Sequence, residues 1–256
     1  MKRQHRIADG DALNRRILGV NFYVGDAAGA IDRMAKGGLL VVPAAPALKD
    51  IAVNAAYRAA LLDADLAITD SAFMVLVWNL IERDSISRLS GLHYLRELLR
   101  QEDVCRPGNT LWIMAGPPST TRNLAWLREQ GIEVPAECVY EAPMYGDQVQ
   151  DDVLVEKIQT LRVRHIIITV GGGTQERLGH FLKRHLDYLP SIHCIGAAIA
   201  FLSGDQVRIP AWADRLYLGW FFRCLSQPRR FVPRYLSARG LVPLLWRYRS
   251  RLPVKI

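Results

Sequence analysis

The chain has 256 residues, half of them apolar and under a quarter charged, which suits a folded globular protein with one large domain or a domain plus an appendage. Its four cysteines, Cys105, Cys138, Cys194 and Cys224, are far apart with no C-x-x-C pair, which argues against a zinc ribbon or a disulfide framework and suits a reducing cytoplasm. The formal charge of +8 is unevenly spread: Arg215–Ile256 carries ten Lys or Arg, eight aromatics and no acid, while the residues before it are slightly acidic.

An acid-free aromatic tail is built to meet an anion: a nucleotide phosphate, a nucleic acid or an anionic bilayer. The N-terminal MKRQHRIADGDALNRR lacks an apolar signal core, so export is not expected. No stretch reaches the roughly 18 apolar residues that span a bilayer. Membrane contact is therefore expected to be peripheral, through the Trp, Tyr and Arg of the tail.

Along the chain, strand and helix alternate. Gly38–Val42 predicts a buried strand, Pro43 and Pro46 a turn, and 47–62 a helix. Leu66–Thr69 predicts the next strand, ending at Asp70, and Met74–Glu82 a helix buried on most sides. Leu111–Met114 reads as a strand, Ala115–Thr121 as a loop, and Arg122–Gln130 as a helix closed by Gly131. Ile166–Val170 is the most strand-like run and leads into Gly171-Gly172-Gly173-Thr174. The following helix has Leu178, Phe181, Leu182 and Leu186 on one face, with His185 near it in a structural role. Ile192–Ile195 is a further strand. The fold class is α/β: a mostly parallel, Rossmann-like sheet with helices on both faces, plus a basic C-terminal helical appendage. The break at Pro210–Asp214 divides a core, 1–214, from the appendage, 215–256.

Ligands of open α/β sheets bind beyond the carboxyl ends of the strands. Asp70 lies there, either as a general base or as the N-cap of the next helix. The triple glycine before Thr174-Gln175-Glu176 lies there too, either as a phosphate cradle or as a tight turn. Ala115–Thr120, with Gly116, is a third such junction, or an ordinary loop. The sequence has no D-x-D, no G-x-S-x-G and no His cluster with metal spacing. A nucleotide diphosphate would have to be held by helix N-termini and by the tail arginines.

Taken together, these motifs resemble the WecG/TagA/CpsF family of bacterial glycosyltransferases, from about Gly19 to about Tyr235. The matching pieces are Ala64–Ser71, Arg88–Leu95, Met114–Pro118, Gly171–Glu176, and Ser203-Gly204 through Arg208–Trp212 to Leu218–Arg223, Gln227–Arg230 and Arg234-Tyr235. The resemblance implies inverting, metal-independent transfer of a sugar from a UDP-sugar to a polyprenyl-diphosphate-linked saccharide, in exopolysaccharide or cell-surface glycan synthesis, with no cofactor. It puts the general base on Asp70. It puts donor contacts on Arg88, Gly116, Gly171, Gly172, Gly173, Thr174, Gln175, Arg223, Arg230 and Arg234.

The sequence departs from the family pattern at Pro43-Ala44-Ala45, Ser71 and Gly219. At Pro43–Ala45 and Gly219 polar groups of the family pattern are lost, so a hexose donor such as glucose is at least as plausible as an N-acetylhexosamine or a uronic acid. Arg239, Arg247, Arg249, Arg251 and Lys255, with Trp246 and Tyr248, are left for a lipid surface on the cytoplasmic side. Aliphatics between the arginines favour a membrane over nucleic acid, and a homo-oligomer is left open. Two other readings stand beside this one: a nucleotide- or nucleic-acid-binding regulator using the tail, and a non-catalytic family member.

Overall fold

The computed structural model describes residues 13–206 and 219–255, the Arg230 side chain excepted. Its strands are β1 (Asn14–Ile17), β2 (Val20–Tyr23), β3 (Gly38–Val41), β4 (Leu66–Ile68), β5 (Thr110–Met114), β6 (Val139–Glu141), β7 (His165–Ile168) and β8 (Ser191–Cys194). They form one sheet in the order β1-β2-β4-β3-β8-β7-β5-β6. Only the β1–β2 pair is antiparallel. The helices before the tail are α1 (Ala27–Met34), α2 (Ala45–Leu48), α3 (Ala55–Leu62), α4 (Ala72–Glu82), α5 (Gly91–Leu98), α6 (Glu102–Cys105), α7 (Pro117–Glu129), α8 (Asp152–Leu161), α9 (Thr174–His185) and α10 (Ala198–Leu202). The tail adds α11 (Gly219–Ser226), α12 (Pro228–Ser237) and α13 (Leu241–Tyr248).

Side chains alternate across a strand, and the central strands are apolar on both sides. Leu39, Val41, Ile166, Ile168, Ile192 and Cys194 join one core with Leu48, Leu61, Trp78, Ile158, Leu178 and Leu245. Leu40, Val42, Ile167 and Ile195 join the other with Ala30, Leu95, Leu127 and Ile199. The sheet is thus covered by α2, α3, α4, α8, α9 and α13 on one face and by α1, α5, α7 and α10 on the other. The expected α/β fold with helices on both faces is what forms. β3 and β8 are neighbours, yet β3 leads into α2 on the first face and β8 into α10 on the second. Their outgoing loops therefore part and open a crevice at the strand ends.

Three local expectations are corrected. Helix α4 is not buried on most sides: Met74, Val75 and Trp78 face the core, but Phe73, Leu76 and Leu80 are exposed. Its apolar composition reflects a second, solvent-facing apolar stripe. The segment after Ala115 is a loop only as far as Gly116, because Pro117 and Pro118 open α7, where missing N–H groups cost no helical bond. Helix 47–62 is broken into α2, a 3-10 turn over Lys49–Ala52, and α3, which Asn54 caps through a bond from the Tyr57 N–H.

The division at Pro210–Asp214 lies outside the described residues. Beyond it, Leu241 and Leu245 of α13 are fully buried in the core. The chain then reaches the β1–β2 turn, where the Leu18 and Gly19 N–H groups donate to the Arg249 and Ser250 carbonyls at 2.8 and 3.1 Å. Gly19 has φ +82°, and a Cβ there would lie 2.7 Å from Leu252, so this contact needs glycine. Arg249 also pairs with Glu82 at 3.2 Å.

Candidate functional site

Asp70 follows β4 at the crevice. It does not cap α4: Ser71 does, its Oγ accepting the Met74 N–H at 3.2 Å. The Ser71 departure therefore has a local structural job. The Asp70 Oδ1 instead accepts the N–H of Gly91, the first residue of α5, at 2.9 Å. Arg88 donates through Nε to the Asp70 carbonyl at 2.6 Å and holds Nη2 3.7 Å from Oδ1. The loop carrying Arg88 is pinned twice. Thr69 Oγ1 donates to the Ser87 carbonyl at 2.8 Å and accepts the Leu89 N–H at 3.0 Å. The Asn79 amide brackets the Ile86 backbone at 3.0 and 3.1 Å. A carboxylate held by a helix N-terminus and a guanidinium has a fixed direction.

Across the crevice, β7 ends at the glycine turn. Gly173, with φ +91°, is the N-cap of α9, and its N–H donates to Glu176 Oε2 at 2.6 Å. Gln175 is almost fully buried, and its Nε2 donates to Glu176 Oε1 at 3.1 Å. Its Oε1 is buried with no hydrogen-bond partner among the described residues. The amide fits beside Gly196, where an added Cβ would stand 3.3 Å from Oε1. Burial pushes the Glu176 carboxyl up to about 7, against the lowering effect of its hydrogen bonds and of Arg177. Arg177 ties the turn to the preceding loop, donating through Nε to Gly173 O at 3.0 Å and through Nη1 to Gly146 O at 2.8 Å.

The tail closes the third side. The Arg223 guanidinium lies 4.3 Å over the Phe201 ring and 5.9 Å from the Phe231 ring, and Nη1 donates to the Tyr235 hydroxyl at 3.2 Å. Its Nε is buried with no partner among the described residues. An arginine stacked between aromatics keeps its charge and a fixed plane. Arg234 reaches Gly172, whose Cβ position would be 3.7 Å from Nη2.

These groups surround one cavity of about 1090 Å³, slightly above the ~300–1,000 Å³ typical of small-ligand pockets. Asp70, Arg88, Gly171, Gly172, Gln175, Arg223 and Arg234 all line it. Gly173 borders a smaller pocket of about 280 Å³ on the other side of the turn, with Lys49, Tyr57 and Arg234. Gly116 and Thr174 line neither pocket. Gly116, with φ +147°, is the N-cap of α7, and Thr174 opens α9. The Arg230 side chain lies outside the described residues. The departures at Ala44, Ala45, Ser71 and Gly219 all border the large cavity.

The sequence reading missed Arg122, Asn123, Gly196, Phe201 and Asp205, which also line it. Arg122 pairs with Asp205, and Asn123 Oδ1 accepts from Ser203 Oγ at 2.7 Å. None stands in a motif of its own; Gly196 after a predicted strand end was the one available signal. Among the described residues, no group of three or more His, Cys, Asp or Glu could hold a metal ion.

Residues 15–255 match the model of the Glycosyl transferase WecG/TagA/CpsF family. A curated N-acetylglucosaminyldiphosphoundecaprenol N-acetyl-beta-D-mannosaminyltransferase from Bacillus spizizenii is 25% identical, with 78% of each chain covered.

Proposed function

The chain belongs to the WecG/TagA/CpsF family of glycosyltransferases, and from that premise we propose that its cavity takes a UDP-sugar and a polyprenyl-diphosphate-linked saccharide. The observation that carries this reading is the opposition, across one cleft, of a fixed carboxylate and a basic, aromatic wall. The volume admits a nucleotide-sugar together with the end of an acceptor. In the proposed step Asp70 takes the proton of the acceptor hydroxyl. That oxygen forms a bond to the anomeric carbon as the bond to the diphosphate breaks, and UDP leaves with the electron pair. The configuration inverts. Arg223 and Arg234 offset the charge growing on the departing diphosphate, an interaction stronger in the transition state than in the bound donor.

A lipid-linked acceptor needs the cleft to open at a bilayer surface. Phe73, Leu76, Trp220 and Phe221 both line the cleft and are exposed, and Leu80, Leu225 and Trp246 are further exposed apolar side chains on α4, α11 and α13. Helix α12 also carries Arg229 and Arg234, and α13 carries Arg247. This supports peripheral seating on an anionic membrane. No helix among the described residues is long and apolar enough to cross a membrane.

The test is transfer itself. A panel of UDP-sugars is incubated with a short-chain polyprenyl-diphosphate-linked N-acetylglucosamine, the acceptor type in the relative's name, and with other lipid-linked sugars. Mass spectrometry should show one added sugar and release of UDP. If no UDP-sugar is transferred while purified protein remains folded, the reading is wrong.

A further inference from the structure

We propose that Glu176 is a positioning residue that sets which edge of the Gln175 amide faces the cavity. The inference rests on the donor-site reading of that cavity. An ionised carboxylate only accepts hydrogen bonds. One Glu176 oxygen takes the Gly173 N–H and the other takes Gln175 Nε2, so the amide must turn Oε1 away from Glu176, with both amide heteroatoms beside cavity-lining Gly196. Capping α9 needs only the first of these bonds. The second fixes the amide and leaves a buried Oε1 with no partner among the described residues, a cost unless a ligand supplies a donor.

The chemistry of that ligand group follows. A diphosphate offers only acceptor oxygens, so Oε1 selects against it and for a hydroxyl or N–H of the sugar, ribose or base. The diphosphate is then left to Arg223 and Arg234. A neutral group at position 176 that presents a hydrogen towards Gln175 would reward the flipped amide and put an N–H donor in the cavity instead. Burial already holds the Glu176 carboxyl near neutrality, so the wild type should make this change within an ordinary pH range. The titratable groups that interact with Glu176 are Tyr57 of α3, Arg177 of α9 and Cys194 of β8, and Asp50 of the 3-10 turn acts on Tyr57. Burial raises the Tyr57 and Cys194 pKa values, so neither supplies a charge at neutral pH.

The experiment measures calorimetric affinity for UDP-glucose and for UDP in the full chain, its Gln175→Ala and Glu176→Gln variants and the double variant. Each single change should weaken UDP-glucose binding about tenfold, as for a lost hydrogen bond. The double variant should bind no more weakly than Gln175→Ala alone. Wild-type affinity for UDP-glucose should fall below about pH 7, and Glu176→Gln should be flat. Weaker binding by Gln175→Ala with unchanged binding by Glu176→Gln overturns the positioning role and leaves the donor site standing. No binding to the wild type, or no effect of Gln175→Ala, overturns the donor-site reading and the inference with it. If Glu176→Gln does not fold, the wild-type titration decides: flat affinity between about pH 6 and 8 overturns the proposal.

Discussion

The two walls of the cleft are built differently. The core wall carries Asp70 after a strand, Arg88 on a pinned loop and Gln175 at a helix start, with Glu176 behind it, each fixed by backbone hydrogen bonds or burial. The tail wall carries Arg223 and Arg234 on α11 and α12, which leave Trp220, Phe221, Leu225 and Leu236 exposed. Arg223 is held there by ring stacking and one tyrosine hydroxyl. The tail is itself divided: α13 comes from the same acid-free stretch but buries Leu241 and Leu245 like any core helix. Composition alone does not separate these cases. In the core wall Asp70 and Arg88 are tied to the backbone; in the tail wall Arg223 is held by other side chains.

The largest test of that contrast is on α13. Leu245→Ala should cost about 2–5 kcal/mol of stability, as for other buried leucines, read by denaturant unfolding. A loss below about 0.5 kcal/mol would make the whole tail peripheral. Next is Glu176. Its folded carboxyl titrates at about 7, above the ordinary 4.5, so the unfolded chain loses the proton first. Stability should fall as pH rises from about 4.5 to 7 and then level off, a cost of about 3 kcal/mol at 1.36 kcal/mol per pH unit. Glu176→Gln should remove that slope; equal slopes in both proteins would break the account of this group.

On the tail wall, Arg223→Ala should lower turnover on a soluble acceptor about 10- to 100-fold while the melting temperature stays within a degree or so. A large loss of stability would show that Arg223 is a packing residue. The smallest expected effect is that of Trp246→Ala. Its stability should change by less than about 0.5 kcal/mol, while sedimentation with anionic vesicles weakens. Unchanged vesicle binding by Trp246→Ala and Leu80→Ala together would remove the membrane face.

The sequence pattern reached the central sheet because its strands, such as Ile166–Ile168 and Leu39–Val41, are buried on both faces and read as apolar runs. It missed the β1–β2 hairpin because Asn14–Ile17 is a polar edge strand whose turn puts Leu18 at φ +49°. It mistook α4 for a buried helix because periodicity cannot tell an apolar face that meets a core from one that meets solvent or lipid. Within the site, Asp70, Gln175, Arg223 and Arg234 were legible through their order and spacing. The Gly91 N–H and the stacking on Phe201 were not, because both join residues distant in the chain. Glu176 stood inside the quoted motif, but only its burial distinguishes it from an exposed capping acid.

The central claim is that Asp70 is the base for sugar transfer in this cleft. Turnover and UDP-glucose affinity of Asp70→Asn, measured side by side, test it most directly. The account predicts affinity within about twofold of the wild type and turnover lowered about 10²–10⁴-fold. Near-normal turnover by this variant on a lipid-diphosphate acceptor would contradict it.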